Sequence, residues 1–247
     1  MNLSGNTILI TGGATGIGLG WAQAFIERGN TVLVCGRRQD KLQEAKAQVP
    51  QIETFMCDVA DAAQRQELLA WATTQFPALN VLINNAAMQR QIDLVAGADD
   101  LNRGDDEIAI NFSAPVQLSA LFIPHLLQQP TSAIINVSSG LAFVPIAAMP
   151  IYCATKAALH SYTMSLRHQL QSTSIQVFEV APPMVDTELD RGARIKRGET
   201  YFGISVEETV RATLEGLEND TPELLIGQSQ QQRAKADELF SVINSRR

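Results

Sequence analysis

Short β-branched apolar runs alternate with longer segments of helical period from one end of this 247-residue chain to the other. The runs are Thr7 to Thr11, Thr31 to Cys35, Ile52 to Cys57, Asn80 to Asn84, Ala133 to Ser138, Ile175 to Ala181 and Glu223 to Ile226. Several are nearly continuous Ile, Val and Leu, as expected of parallel strands covered on both faces. The spacing between them predicts helices over about Gly16 to Arg28, Gln39 to Gln48, Ala62 to Gln75, Asp106 to Gln128, Tyr152 to Gln171 and Val206 to Glu218. Parallel strands require crossover connections, and those are right-handed, so strict alternation implies an α/β fold with a doubly wound sheet and helices on both faces. No repeat, low-complexity tract or linker divides residues 1–247 into smaller units, and the length suits one domain.

Composition narrows the partners. Nineteen Lys and Arg against twenty-six Asp and Glu leave a formal charge of −7, with no basic run to offset it. A bulk nucleic-acid or anionic-membrane binder needs clustered positive charge, so neither class is expected. Cys35, Cys57 and Cys153 are odd in number and widely spaced, which argues against a disulfide framework or a zinc site. His160 stands one helical turn beyond Lys156, His125 and His168 have no carboxylate or second His at metal-ligand spacing, and no metal is expected. The N-terminus lacks a basic segment and a small-residue cleavage site, and no apolar run approaches the roughly 18 residues of a membrane span. A soluble cytoplasmic protein is the expectation.

The first strand ends in Thr11-Gly12-Gly13-Ala14-Thr15-Gly16-Ile17-Gly18, with a helix following. Glycines at 12, 16 and 18 let the backbone turn tightly, approach a pyrophosphate and pack the helix on the sheet, while the helix N-terminus supplies donors. A tight βα turn alone would use such glycines too; their place at the head of an alternating pattern favours a nucleotide. The ribose-reading position lies about twenty residues on. There the segment is Cys35-Gly36-Arg37-Arg38, so the site offers cations to a 2′-phosphate and no carboxylate to repel one. NADP is therefore preferred over NAD, unless the two arginines merely face solvent at a helix start. Asp58, followed by Val59, comes after the third strand, where a carboxylate can accept from the adenine amino group. Asn84-Asn85-Ala86-Ala87 puts small residues beside the nucleotide at the end of the fourth strand.

Tyr152 and Lys156 stand four apart on a predicted helix and project from one face. An ammonium near a phenol favours the phenolate; at an effective dielectric of about 20, two charges roughly 5 Å apart interact by about 3 kcal/mol, or about two pKa units. Desolvation of the tyrosine opposes part of this. Ser139 closes the fifth strand just upstream and places a hydroxyl at the same edge of the sheet. Asn111, in the long helix before that strand, adds an amide where a helix interior does not favour one.

Taken together, TGGATGIG, NNAA, Asn111, Ser139, the Tyr152/Lys156 pair and Pro182-Pro183-Met184-Val185-Asp186-Thr187 resemble the short-chain dehydrogenase/reductase family, over Asn6 to about Gly227. The resemblance implies a single-domain Rossmann fold of seven parallel strands, a nicotinamide cofactor and an Asn-Ser-Tyr-Lys tetrad. Tyr152 would donate and accept the proton, and Ser139 would hold the substrate oxygen. Lys156 would bind the nicotinamide ribose and depress the Tyr152 pKa, while Asn111 would hold a water in a proton relay. Pro182, Val185 and Thr187 would meet the nicotinamide end. The resemblance further implies a homodimer or homotetramer, paired through the helices carrying Asn111 and Tyr152. Two departures stand out: Ala87 replaces the usual Gly, and Pro183 replaces the Gly of the usual Pro-Gly, fixing φ and removing a backbone donor. The PPxVxT variant with GRR after the second strand is similar to the subgroup named for the lipoteichoic-acid D-alanylation operon.

This reading is an NADP-dependent oxidoreductase acting on a small-molecule carbonyl or alcohol. Its rival is a catalytically silent NADP-binding sensor or scaffold. Residues 183–205 form a polar stretch beyond a strand end and are expected to act as a substrate lid. Phe143, Met149 and Met184 are candidate substrate contacts, with Met88, Val144 and Phe202 as further apolar loop residues; each could equally be ordinary packing. Asp99 to Glu107 reads as a solvated loop and helix start. Cys153 reads as a small buried helix residue, and the tail from Gln228 as an exposed turn of helix with a docked stripe of Leu239, Phe240 and Ile243.

Overall fold

The computed structural model describes residues 1–102, 106–196, 198–200 and 203–236; Phe202 and the stripe Leu239, Phe240 and Ile243 lie outside them. Strands β1 (Thr7–Thr11), β2 (Thr31–Gly36), β3 (Glu53–Met56), β4 (Leu79–Asn84), β5 (Ser132–Val137), β6 (Ile175–Ala181) and β7 (Glu223–Leu225) alternate with helices along the chain. Helices α1 (Gly16–Ile26), α2 (Gln39–Gln48), α3 (Ala62–Gln75), the short α4 (Ala98–Leu101), α5 (Ala114–Leu126), α6 (Pro150–Leu170), α7 (Glu188–Lys196), α8 (Val206–Glu218) and α9 (Ser229–Ala234) complete the order. The strands form one parallel sheet in the order β3-β2-β1-β4-β5-β6-β7. It is a single-domain Rossmann-like α/β fold.

Strand periodicity sorts the core into two layers. Ile8, Ile10, Val32 and Val34 turn to one face and pack with Trp21, Phe25 and Leu217. Leu9, Leu33 and Leu82 turn to the other, against Leu68, Leu118 and Phe122. Strand order reverses between β1 and β4, which opens a crevice beyond their carboxyl ends, the usual place for a ligand in such sheets.

Most predicted elements lie within a residue or two of the observed ones; two differences bear on function. The helix expected over Asp106 to Gln128 is not uniform: Ala109–Ser113 forms a π turn before α5. There Asn111 turns inward, its Oδ1 accepting from the Met88 N–H at 2.9 Å and its Nδ2 donating to the Met88 carbonyl at 2.8 Å. The second is α7, inside the stretch read as a polar loop. Glu188 in its first turn and Arg194 and Lys196 in its last suit the helix dipole, although Gly192 at its centre masks the pattern. Among the described residues no helix is long and apolar enough to cross a membrane.

Candidate active site

The turn after β1 is built from contacts that leave no room for side chains. Gly12 has φ +63°, and a Cβ there would stand 2.9 Å from the Ala86 Cα; one on Gly18 would stand 2.5 Å from the Gly12 carbonyl oxygen. The Thr11 hydroxyl accepts from the N–H groups of Asn85 and Ala86 at 2.9 and 3.0 Å, and Asn85 Nδ2 donates back to the Thr11 carbonyl at 2.9 Å. These bonds lock the ends of β1 and β4 together across the switch point. Thr15 caps α1 without a side-chain hydrogen bond, so the first-turn donors of α1 are not satisfied by their cap residue. A cradle of close backbone, ending in an open helix N-terminus, fits a pyrophosphate.

A cleft of about 470 Å³ runs from this turn. Gly12, Ala14, Thr15, Gly16, Ile17, Arg37, Arg38, Asp58, Val59, Asn85, Ala86, Ala87 and Thr187 all line it. Gly18 instead lies behind the turn, as packing. The sequence reading missed Lys41 and Glu188. Glu188 reaches across from α7 to Arg38 at 3.4 Å and to Lys41 at 3.8 Å, while Arg38 also lies 3.5 Å from the Thr15 hydroxyl. Three chain segments thus converge on one cluster of cations, a juxtaposition that sequence separation hides.

A second cavity of about 290 Å³ shares Ile17, Asn85, Ala87 and Thr187 with the cleft and contains Ser139, Met149, Tyr152, Lys156, Pro182, Met184 and Val185 on its walls. Ser139 leaves β5 in an extended conformation and its Oγ accepts from the Leu141 N–H at 3.1 Å, while Gly140 N–H donates to the Pro182 carbonyl at 3.0 Å. Tyr152 and Lys156 lie one turn apart on α6, only 6% and 2% exposed, with Nζ 5.7 Å from the phenol ring centroid. Lys156 Nζ donates to the Val137 carbonyl at 2.8 Å. The expected lowering of the Tyr152 pKa does not emerge. Burial pushes the phenol up to about 12 against an opposing hydrogen bond with Ser139, and burial pushes the Lys156 ammonium down to about 8. Desolvation is the leading cause of both shifts because both groups are buried.

Asn111 lines neither space. Its amide donates to Met88 and, at 3.2 Å, to the Thr155 hydroxyl, so both donors are used within the protein. Here it ties α6 to the loop after β4. Phe143 does not join the cavity either: its ring packs edge-on to His160 at 5.0 Å and beneath Arg233 at 5.2 Å. Met88 lines the first cleft, Val144 is fully buried, and Cys153 is buried with its thiol pKa raised by desolvation. Arg191, Arg194, Gln228 and Gln232 reach the cavity from α7 and the α9 region. Their three- and four-residue spacings were the available signals, hidden in a polar stretch and a Gln run.

Behind Ser139 lies a buried polar chain. Ser138 donates to Glu179 at 2.5 Å, His160 Nδ1 bonds the other Glu179 oxygen at 2.8 Å, and Glu223, 3.9 Å from His160, is held by Arg233. The sequence spacing of His160 did not reveal these carboxylates. The Glu179 bond raises the His160 pKa against partial burial. A raised folded-state value contributes stability that is complete below the unfolded value near 6.5 and is lost as pH rises through the folded one. Thermal melts should therefore show wild type losing its advantage over His160→Gln as pH rises above about 6.5; a constant difference would contradict this.

With this geometry in view, likeness to known proteins is informative. A family model described as short chain dehydrogenase matches residues 6–198. An uncharacterized oxidoreductase, DltE, of Bacillus subtilis (strain 168) is 52% identical over 99% of both chains. A short chain dehydrogenase of Burkholderia cenocepacia J2315, solved in complex with NADP, is 28% identical with a TM-score of 0.82, covering 98% of this chain and 97% of its own. One from Sphingobium yanoikuyae, in complex with NADPH, is 27% identical with a TM-score of 0.80, covering 93% and 91%. A cleft at the switch point leading to a buried Ser, Tyr and Lys is the layout of a nucleotide-dependent oxidoreductase. The chain belongs to the short-chain dehydrogenase family.

Proposed function

We propose that this protein is an NADP-dependent oxidoreductase of a carbonyl/alcohol pair. The observation that carries the reading is the burial of the Tyr152 phenol beside Ser139 and Lys156, in a cavity that shares walls with the nucleotide cleft. NADP, when bound, supplies or takes up the hydride. Ser139 orients the substrate oxygen, and Tyr152 Oη passes a proton to it or takes one from it. Lys156, fixed by the Val137 carbonyl, holds positive charge beside the phenol and a donor toward the cofactor ribose. Asn111, fully buried, keeps α6 in register with the loop after β4 through its bonds to Met88 and Thr155.

The cleft residues from Gly12 to Ile17 would hold the pyrophosphate, Asp58 and Val59 the adenine, and Arg37 and Arg38 the 2′-phosphate. Pro182, Val185 and Thr187 would hold the nicotinamide end. Residues 183–205 act as the lid: the Val185–Ile204 bridge pinches their ends together, so α7 stands over the cavity as one flap. Exposed Ile108 before α5 and Met164 on α6 suit pairing of copies into a dimer or tetramer. The free thiols of Cys35, Cys57 and Cys153 fit a reducing, cytoplasmic setting.

A panel of ketones and aldehydes with NADPH, followed at the nicotinamide absorbance, tests the reaction. Turnover supports it; tight NADPH binding with no turnover across the panel would support the silent sensor instead. For cofactor choice, Arg37→Ala combined with Arg38→Ala should weaken NADPH binding by about tenfold or more and leave NADH nearly unchanged, since each charge-assisted contact to the phosphate is lost. Fluorescence titration of the nicotinamide provides the check, and equal losses for both nucleotides would refute the phosphate assignment.

A further inference from the structure

The second cavity is mostly apolar near the reacting groups, with Leu141, Ile146, Met149 and Met184 on its walls, yet it is not uniformly so. Arg191 and Arg194 enter it from α7, three residues and so nearly one turn apart, on one side of the flap. Arg194 is well packed, its side chain only 15% exposed, with one Nη paired to Glu199. Arg191 is 52% exposed and lies 3.4 Å from Asp186. With Lys156, three cationic side chains stand against two carboxylates among the described residues, Asp186 on the wall and Glu199 paired to Arg194 behind it, in a protein whose net charge is −7. Such a local reversal of sign concentrates anions at the mouth of a cleft with low-dielectric walls. Arg194 has partners besides Glu199, but a guanidinium carries five N–H donors in a rigid fork, and the buried Nε of Arg194 makes no hydrogen bond within the protein. Lys156 belongs to the reaction centre; the arginines stand on the lid, away from the Tyr152 helix.

We propose that the substrate is an oxo or hydroxy acid: a carbonyl or alcohol on an apolar body that ends in a carboxylate, which Arg194, assisted by Arg191, holds as α7 closes. The inference rests on the oxidoreductase reading for the reacting end of the molecule, and it adds the recognition of the other end. Apolar walls accommodate the body of such a molecule, while the arginines select its terminus. A neutral ester of the same shape fits the walls equally well but forfeits the charge-assisted hydrogen bonds. The flap then responds to the substrate itself, since its own cations close on the bound anion.

The experiment compares short to medium straight-chain oxo acids with their methyl esters as substrates of the full chain with NADPH. Wild type should favour the acids in kcat/KM by about tenfold or more, mainly through KM. In Arg194→Gln that ratio should collapse toward unity, and Arg194→Lys should recover part of it. A lid that is merely damaged would slow acids and esters alike and leave the ratio intact. Equal use of acids and esters by wild type, an unchanged ratio in Arg194→Gln, or a matching loss of NADPH affinity in place of a loss of the ratio would overturn the proposal. Binding is measured in parallel, so that failure of the redox reading remains distinguishable. With NADP present, octanoate should raise the melting temperature and methyl octanoate should not, and Arg194→Gln should abolish the difference. If no compound is turned over, the oxidoreductase reading fails, and this binding result alone decides whether the cavity recognises carboxylates.

Discussion

Tyr152→Phe is expected to lower turnover by about a hundredfold to ten-thousandfold, the range a positioned proton donor contributes, while NADPH binds nearly as tightly as before. The phenylalanine keeps the ring, which packs with Met149 and Cys153, so the fold should be retained. It removes Oη alone. Ser139 loses its partner there but still accepts from Leu141 N–H, so the turn after β5 stays formed. Stopped-flow turnover beside fluorescence titration checks both halves, and normal turnover in the variant would remove Tyr152 from the mechanism. A pH profile adds a second handle. With the phenol pushed up to about 12, the protonated form needed for reduction is present throughout the neutral range. In the proposed reaction the limiting group is Lys156, whose ammonium is pushed down to about 8 by burial. Reduction should thus be flat at mildly acidic to neutral pH and fall as pH passes about 8, when the charge supporting the reaction centre is lost.

That profile differs from the one the sequence alone suggests. Tyr152 and Lys156 were legible as a pair because helical spacing puts both on one face. The sign of the Tyr152 shift was not legible, because spacing cannot say how thoroughly a pair is desolvated. Ser139, the glycines and the β4 end were likewise readable, since strand ends in an alternating pattern all point to one edge of the sheet. The contacts from α7 were not. A segment of Glu, Asp, Arg and Lys around Gly192 has the composition of a loop, and the bridge between Val185 and Ile204, which brings the flanks of α7 together over the site, joins residues too far apart in sequence for local pattern to show. Glu188 meeting Arg38 and Lys41, and His160 meeting Glu179, are long-range pairings of the same kind. Local periodicity fixes which face a residue takes, whereas these pairings depend on how separate segments are brought together. Phe143 shows the converse: its place in a loop beside Ser139 suggested a substrate contact, but His160 and Arg233 provide its packing partners.

Gly18→Ala should be among the most damaging single-methyl changes in the chain. The new Cβ would fall 2.5 Å from the Gly12 carbonyl oxygen, 2.7 Å from Asn85 Nδ2 and 3.0 Å from the Gly13 Cα. Two of those atoms belong to the turn's backbone, and the third belongs to a side chain already committed to the Thr11 and Gly12 carbonyls, so no flexible neighbour can yield. Relief requires α1 to back away from the turn. Overpacking of this kind costs roughly 1–3 kcal/mol, and at about 2–4 °C per kcal/mol for a chain of this size the melting temperature should drop by roughly 2–12 °C. The larger loss falls on function, because the first-turn N–H groups of α1 move with it. NADPH affinity should fall at least about tenfold, as donors misplaced by a fraction of an ångström no longer meet a pyrophosphate. Gly192→Ala is the matched control. It adds the same methyl group in α7 with nothing within 4 Å, and helix propensity alone favours the alanine by about 1 kcal/mol. Calorimetry and nicotinamide fluorescence on the two variants separate the effects of the added methyl. Unimpaired stability and NADPH binding in Gly18→Ala would mean that the close approach of α1 to the turn does not set the cofactor site.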